Sequence, residues 1–182
     1  MYIVKFYGCI AFIKPWSAVR DNKTSSLQFL TPSTIEGIEK KLFPELLHTP
    51  GIQKIRRYKL NFIGRTTMQE KVQSKALTIK KKDGYMTRMT SVINRTVLLE
   101  PSLFLAFDSL DDAQTASTQH ICLTRNEDLM RASPEILEMD EKDFGSLPGF
   151  ELRFEKTESS FMVGFNRYDN DNPMYGYLEY QP

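Results

Sequence analysis

Residues 2–12 read YIVKFYGCIAF, and the fold of the whole chain starts from this stretch. Apolar side chains occupy every second position over most of it, which is the period of a β-strand with one buried face. The side chains that would share this face are Val4, Phe6, Ile10 and Phe12. The chain is therefore expected to open with a strand. Pro15 ends it, at the start of a loop that reaches about Thr31.

A helix is predicted directly after this loop, in the segment TPSTIEGIEKKLFPEL at residues 31–46. Ser33 is the candidate N-cap, and Glu36 three residues later would complete a capping box. The buried stripe would consist of Ile35, Ile38 and Leu42. Pro44 then stops or kinks the helix, because proline lacks the backbone N–H that a helix interior needs.

Strand patterns dominate the rest of the chain. Tyr58 and Leu60 alternate with Lys59, and a later buried strand is interrupted at Pro101. Further strands are predicted in QHICLT, FELRFEK, FMVGFNRY and MYGYLEY. LDDAQTAST shows little helical pattern, and residues 125–149 are expected to form an acidic loop region in solvent or at a protein interface. This order favours one α+β domain over residues 1–182, with a ferredoxin-like antiparallel sheet.

The charges are segregated along the chain, although the net charge is only +1. Residues 54–96 hold 12 basic and 2 acidic side chains, whereas residues 97–182 hold 6 basic and 17 acidic ones. One interpretation is a polyanion-binding centre combined with an acidic part that meets a basic or polar partner. The alternative is that the two halves simply face each other in the fold.

A projecting hairpin is predicted inside the basic block, at residues 76–93. Asp83-Gly84 is a strong two-residue turn signal, and the flanking runs are rich in Lys, Thr and Arg. We expect a basic β-finger, within an insertion at residues 64–96, that neutralises nucleic-acid phosphates. Its candidate binding residues are Arg65, Lys71, Lys75, Lys80, Lys81, Lys82, Tyr85, Met86, Arg88 and Arg95. Outside the finger we add Lys14, Trp16, Arg20, Thr31, His120 and Arg125, together with Ser33 as a phosphate seat at the helix N-terminus.

Other classes of function find little support. The apolar stretches are too short for a transmembrane helix, and no signal peptide is recognised, so a cytoplasmic location is expected. Cys9 and Cys122 are interpreted as reduced core residues, and His120 with Cys122 supplies too few ligands for a zinc site. DNDNP at residues 169–173 is interpreted as a tight polar turn rather than a calcium loop. No metal and no cofactor are expected.

The order of these segments resembles a known family. FLTPSTIEGI, IRRYKLNFIG, RTTMQEKVQSKA and VINRTVLLEPSLFLAF follow one another as in the CasD-type subunit of CRISPR Cascade complexes, the Cas-five family, and most closely its type I-C branch. HICLTRNED and FMVGFNRYDND continue the likeness more weakly. The resemblance implies an RRM-related body of the repeat-associated RNA-binding (RAMP) superfamily with a β-hairpin thumb. It also implies an antiviral-defence ribonucleoprotein, in which this subunit caps the 5′ handle of the CRISPR RNA beside the backbone and large subunits and is not an obligate homo-oligomer.

Two departures from the type I-C branch bear on catalysis. That branch cuts precursor RNA with a tyrosine at the end of the first helix and a Lys-His pair on a later helix. Here the matching helix position is Phe43, and the segment between Phe107 and His120 has no Lys-His pair. Only His48 and His120 remain as imidazoles for acid–base chemistry. A binding subunit without nuclease activity is therefore favoured. The alternatives are an RNA-processing endoribonuclease and an unrelated ferredoxin-like protein-interaction module.

Overall fold

The structure is a computed structural model that describes residues 1–15, 23–73, 80–82, 85–87, 90–166 and 169–182. For residues 73, 80–82 and 85–87 it describes the backbone alone. This part of the chain contains three helices and fourteen strands. The helices are α1 (Pro32–Leu42), α2 (Leu110–Ser117) and α3 (Glu141–Ser146), and a 3-10 turn spans Pro44–Leu46. The strands are β1 (Tyr2–Gly8), β2 (Ile10–Ala11), β3 (Lys23–Ser25), β4 (Ile55–Asn61), β5 (Gly64–Gln73), β6 (Lys80–Lys82), β7 (Tyr85–Thr87), β8 (Thr90–Leu99), β9 (Ser102–Phe107), β10 (His120–Cys122), β11 (Leu129–Glu138), β12 (Gly149–Arg153), β13 (Phe161–Asn166) and β14 (Asn172–Gln181).

The central sheet has the ferredoxin-like topology that the sequence predicts. Its strand order is β10-β11-β1-β9-β4-β12-β14-β13, and neighbouring strands in it pair antiparallel. Within this order, β11-β1-β9-β4 is the four-stranded core of a β-α-β-β-α-β unit, with α1 between β1 and β4 and α2 between β9 and β11. The predicted fold class is confirmed.

Helix α2 corrects the prediction of a polar connector after β9. It buries only Ala113 and Ala116. Two small side chains make a faint apolar stripe, so the periodicity of this segment gives little sign of a helix. Asp111 and Asp112 lie in its first turn, where carboxylates interact favourably with the helix dipole. This acidic start was the one local signal available.

The acidic loop expected across residues 125–149 is wrong for most of its length. Residues 129–138 form β11, which is paired on one side with β1 and on the other with β10. Its register with β1 shifts between Ala132 and Ile136, a stretch that contains Pro134. Proline cannot donate to a ladder and is tolerated in a strand at such irregularities. The shift interrupts the alternation by which the strand could have been recognised.

The first strand pattern is divided in the structure. β1 ends at Gly8 and β2 covers only Ile10–Ala11, so Cys9 lies exposed between them. Cys122 lies on the edge strand β10 and is partly exposed. The interpretation of both cysteines as core residues is therefore wrong. A further strand, β3, occurs in the predicted loop and pairs parallel to β8.

Apolar side chains cover parts of both faces of the sheet. The larger cluster, which includes Val4, Phe6 and Leu105, packs with Ile35, Ile38 and Leu42 of α1 as predicted. The smaller cluster joins Ile3, Phe104 and Ala106 to Phe144 of α3 on the other face. The two-sided cover explains why Lys59, expected on a polar face, is 0% exposed.

Lys59 holds α3 on the sheet through hydrogen bonds. Its ammonium donates to the main-chain oxygens of Gly145 at 2.8 Å, Leu147 at 2.9 Å and Phe144 at 3.3 Å. These carbonyls lie at the C-terminal end of the helix, where a cation interacts favourably with the helix dipole. Burial lowers the pKa of Lys59.

Glu39 is the matching buried carboxylate on α1. It accepts hydrogen bonds from three successive main-chain N–H groups, those of Gln53 at 2.8 Å, Lys54 at 2.6 Å and Ile55 at 2.7 Å. The side chain is 0% exposed. It thereby satisfies the buried donors at the start of β4 and sets that strand relative to the helix.

We predict that Glu39→Gln lowers the free energy of unfolding by about 1–3 kcal/mol. The glutamine side chain has one acceptor oxygen, so its NH₂ group must face at least one buried N–H. Denaturant unfolding of the variant and the wild type measures the difference. Glu135→Gln, on an exposed position of β11, is the matched control and should stay within about 0.5 kcal/mol. An equal loss in both variants would contradict the role given to Glu39.

Candidate nucleic-acid interface

Four cations of the basic block belong to the body of the protein rather than to the finger. Lys54, at the start of β4, pairs with Glu45 at 2.9 Å and with Asp112 of α2 at 2.8 Å. Lys59 lies under α3, as described above. Lys54 is paired with carboxylates and Lys59 with main-chain oxygens of the body, so neither is a free cation for a nucleic-acid surface.

The two arginines between them are also paired. Arg56 contacts Asp108 at 3.2 Å and Glu141 at 2.7 Å. Arg57 makes a bidentate contact with Glu151, at 2.9 and 2.6 Å, which raises the pKa of the arginine. The interpretation that the basic and acidic halves face each other therefore holds for this group of residues. Counting charge by segment overestimated the free positive charge.

Three further cations of the block, Arg65, Lys71 and Arg95, lie on a separate ribbon. β5 and β8 pair antiparallel over ten residues, from Gly64 opposite Leu99 to Gln73 opposite Thr90. β3 joins the other edge of β8, with Lys23 opposite Asn94. β6 and β7 pair with Lys82 opposite Tyr85, which agrees with the predicted two-residue connection. We call β3, β5 and β8 the thumb ribbon.

One face of the thumb ribbon is basic and polar. Residues that are opposite each other on paired strands point to the same side, so the register assigns the faces. The polar side chains of this polar ribbon face are Lys23, Ser25, Arg65, Thr67, Gln69, Lys71, Thr90, Asn94 and Thr96. The register also places on it Val92, which is exposed, and Leu98, which is buried at the base of the ribbon. The face contains three cations and no carboxylate. Lys23, Arg65 and Lys71 are exposed, and within the described residues no ion pair engages any of them.

The opposite face of the ribbon is neutralised. Arg95 forms an ion pair with Glu70, and its guanidinium lies 4.9 Å from the centre of the Phe12 ring. Arg125 lies 5.5 Å from the same ring and pairs with Asp128. The structure thus brings the predicted site residues Arg95 and Arg125 together, but each has a carboxylate partner.

Asp128 is the buried centre of this arrangement. Arg125 donates to it from Nη2 at 2.6 Å and from Nε at 3.0 Å, and these bonds raise the pKa of the arginine. The main-chain N–H of Phe12 also donates to Asp128, at 3.2 Å. The carboxylate therefore ties residues after β10 to the chain just after β2. It is neither in solvent nor free for a protein partner.

We predict that Arg125→Ala lowers the free energy of unfolding by about 3 kcal/mol, because Asp128 stays buried without its cation. Lys142→Ala, at an exposed position of α3, is the control and should change stability by less than about 0.5 kcal/mol. Thermal or denaturant unfolding gives both values. If Arg125→Ala leaves stability unchanged and weakens RNA binding instead, the residue serves the interface.

The start of α1 differs from the predicted capping box. Thr31, not Ser33, is the N-cap, and its Oγ1 accepts from the N–H of Thr34 at 3.4 Å. Thr31 is buried, so its hydroxyl serves the helix. Ser33 is exposed and lines a groove between α1 and β10, where Lys41 donates to the main-chain oxygen of His120 at 2.8 Å. No residue of the thumb ribbon lines this groove.

The other candidate residues divide into described and undescribed ones. Lys14 is exposed after β2, and the side chain of His120 is exposed on β10. Phe43, at the position where the family resemblance would place a tyrosine, is buried edge-on against Phe107. Outside the described residues or side chains lie Trp16, Arg20, Lys75, Lys80, Lys81, Lys82, Tyr85, Met86 and Arg88.

The polar ribbon face also includes residues that the sequence analysis did not select. Lys23, Gln69 and Asn94 lie side by side across β3, β5 and β8. Asn and Gln side chains carry no charge and are not found by counting Lys and Arg. Only the strand register aligns them, and the parallel pairing of β3 was not predicted.

The described part of the chain shows no metal centre or membrane helix. It has no group of three or more His, Cys, Asp or Glu side chains that could hold a metal ion. None of the helices within it has the length and apolar character that crossing a membrane requires.

Comparisons with known proteins inform the fold. No protein-family model matches the sequence, and no curated protein matches it. Among solved structures, a chain described as "CRISPR RNA-guided surveillance complex" is similar, with a TM-score of 0.53 and 9% sequence identity. The match covers 99% of this chain and 88% of that chain. At this identity the likeness shows the fold alone, and this chain shares its fold with a chain of an RNA-guided complex.

Proposed function

We propose that this chain is an RNA-binding subunit of a Cascade-type surveillance complex. It would cap the 5′ handle of the CRISPR RNA beside the backbone and large subunits. The observation that carries the proposal is the polar ribbon face, because three exposed cations occur there without a carboxylate. The shared fold with a chain of an RNA-guided complex supports the same function.

The chemistry of the polar ribbon face suits a single-stranded RNA backbone. Lys23, Arg65 and Lys71 can neutralise phosphates, which supplies most of the salt-dependent affinity of such proteins. Gln69 and Asn94 add amide groups that donate and accept, so they can bind phosphate oxygens or a ribose 2′-hydroxyl. A ten-residue strand is about 33 Å long, enough to follow several nucleotides.

The carboxylate of the thumb ribbon, Glu70, lies on the face away from the proposed RNA side. Glu70 points to the other side, where Arg95 holds it. The period of two along β5 therefore keeps the acidic group away from the RNA side. A phosphate on the polar ribbon face meets cations and neutral donors among the described residues.

We predict that the double variant Arg65→Gln/Lys71→Gln binds single-stranded RNA more weakly and with a smaller salt dependence. Removing two phosphate contacts should reduce the slope of log affinity against log salt concentration by about 1.4. Fluorescence anisotropy at several salt concentrations measures it. Lys142→Gln, on α3, is the matched control and should leave the slope unchanged. Equal slopes in wild type and double variant would place the RNA elsewhere.

The specific role in a complex needs a separate experiment. The chain is co-expressed with the neighbouring genes and the associated CRISPR array, purified by a tag, and its bound RNA is sequenced. We expect reads with one common 5′ end derived from the repeat, and co-purified subunits. Recovery of the chain with RNA of random sequence would reduce the proposal to general RNA binding. Recovery without RNA would favour the protein-interaction alternative.

A further inference from the structure

The face of the central sheet opposite α1 is only partly covered. At one end, Phe144 of α3 packs on Ile3, Phe104 and Ala106. At the other end, where β1 approaches Gly8, none of the described helices lines the groove beside Tyr7. There the ring of Tyr7 is 49% exposed, although it belongs to one of the two central strands of the ferredoxin-like core. The ring is therefore open to a ligand on a face of the sheet that is otherwise packed.

Polar neighbours surround this ring in a defined pattern. Tyr7 lies opposite Arg131 on β11 and opposite Ser102 on β9. Lys5, two residues earlier on the same face, holds its ammonium 5.6 Å from the centre of the Phe104 ring. These residues line a groove of about 950 Å³ whose apolar walls include Ile63 and Leu129.

The charged side chains that line the groove are two cations, Lys5 and Arg131, and two carboxylates, Glu100 and Glu127. Within the described residues, no ion pair engages Lys5 or Arg131. Glu127 lies in the groove but contacts Arg125 at 3.5 Å. Glu100 is the other carboxylate, in the turn between β8 and β9. The two cations lie on the strands at Tyr7, with Lys5 two residues before it and Arg131 opposite it, whereas both carboxylates lie in connections between strands.

We infer that this groove binds an unstacked nucleobase of single-stranded RNA, with the base on the ring of Tyr7 and its phosphates beside Lys5 and Arg131. The inference rests on the proposed function, since it concerns a second contact for the same RNA. Bases stack on aromatic side chains of open sheet faces, and this contact tolerates any base. Ser102 and Glu100 offer hydrogen-bonding groups for the edge of a base, and a carboxylate accepts from amino groups.

The stacking contact and the ribbon contact differ in their salt dependence. Tyr7→Ala should weaken binding of a single-stranded RNA by roughly 5- to 150-fold at every salt concentration, with an unchanged slope. Tyr7→Phe keeps the ring and should bind like the wild type. Tyr175→Ala, an exposed tyrosine on β14 away from the groove, is the matched control and should also bind like the wild type. Circular dichroism checks that each variant is folded.

A crosslinking experiment gives an independent measurement on the full wild-type chain. Single-stranded RNA with 5-iodouridine is irradiated with the protein, and the crosslinked tryptic peptide is identified by mass spectrometry. We expect it at residues 6–20, because trypsin does not cleave the Lys14–Pro15 bond, with the modification on Tyr7 and its loss in Tyr7→Ala. If Tyr7→Ala binds like the wild type and the crosslink lies elsewhere, the inference fails, while a smaller slope in Arg65→Gln/Lys71→Gln still supports the proposed function. If the wild type binds no RNA, both fail.

Discussion

The carboxylate of Glu39 holds the arrangement on which the rest of the structure depends. It accepts hydrogen bonds from three successive main-chain N–H groups, where the loop after α1 enters β4. Because a buried carboxylate makes this many charge-assisted bonds here, it fixes both the position of the start of β4 and the direction in which the strand leaves. β4 then pairs with β9, and through β9 the position of α1 is coupled to the centre of the sheet.

The same strand is held from its other face by a charge of opposite sign. Lys59 of β4 binds the carbonyls that end α3, so one strand links a helix on each side of the sheet through a buried ion. Neither residue conforms to the expectation that charged side chains face water. In this chain of 182 residues, main-chain groups satisfy each of these two buried charges. Both charges can therefore stay buried, and a helix packs on each face of the same sheet.

The sequence predicted those elements whose local pattern agrees with their place in the fold. α1 has a proline start and an apolar stripe, Tyr58 and Leu60 of β4 alternate with Lys59, and β9 lies in a strongly apolar run. α2 and β3 were missed because their stability comes from neighbours: α2 buries two alanines, and β3 is a three-residue strand held by β8. Tertiary context decides such segments, and local propensity contributes little.

The candidate site was less predictable than the fold. The basic block was visible in the sequence. Several of its cations, however, are neutralised by ion pairs such as Arg57 with Glu151, which join residues far apart in the chain. Tyr7 carried a readable signal, since an aromatic residue stood on the polar side of an alternating strand. The sequence could not show that α3 leaves this end of the sheet open.

The division of the cations into two groups also has a consequence for handling the protein. Pairs such as Arg57 with Glu151 are mostly shielded from solvent, and counterions screen buried pairs far less than exposed ones. The lysines and arginine of the polar ribbon face stand in water and are screened fully. In concentrated salt, the nucleic acid proposed to bind the polar ribbon face should therefore dissociate while the body of the protein stays folded. Dilution of the salt should restore binding.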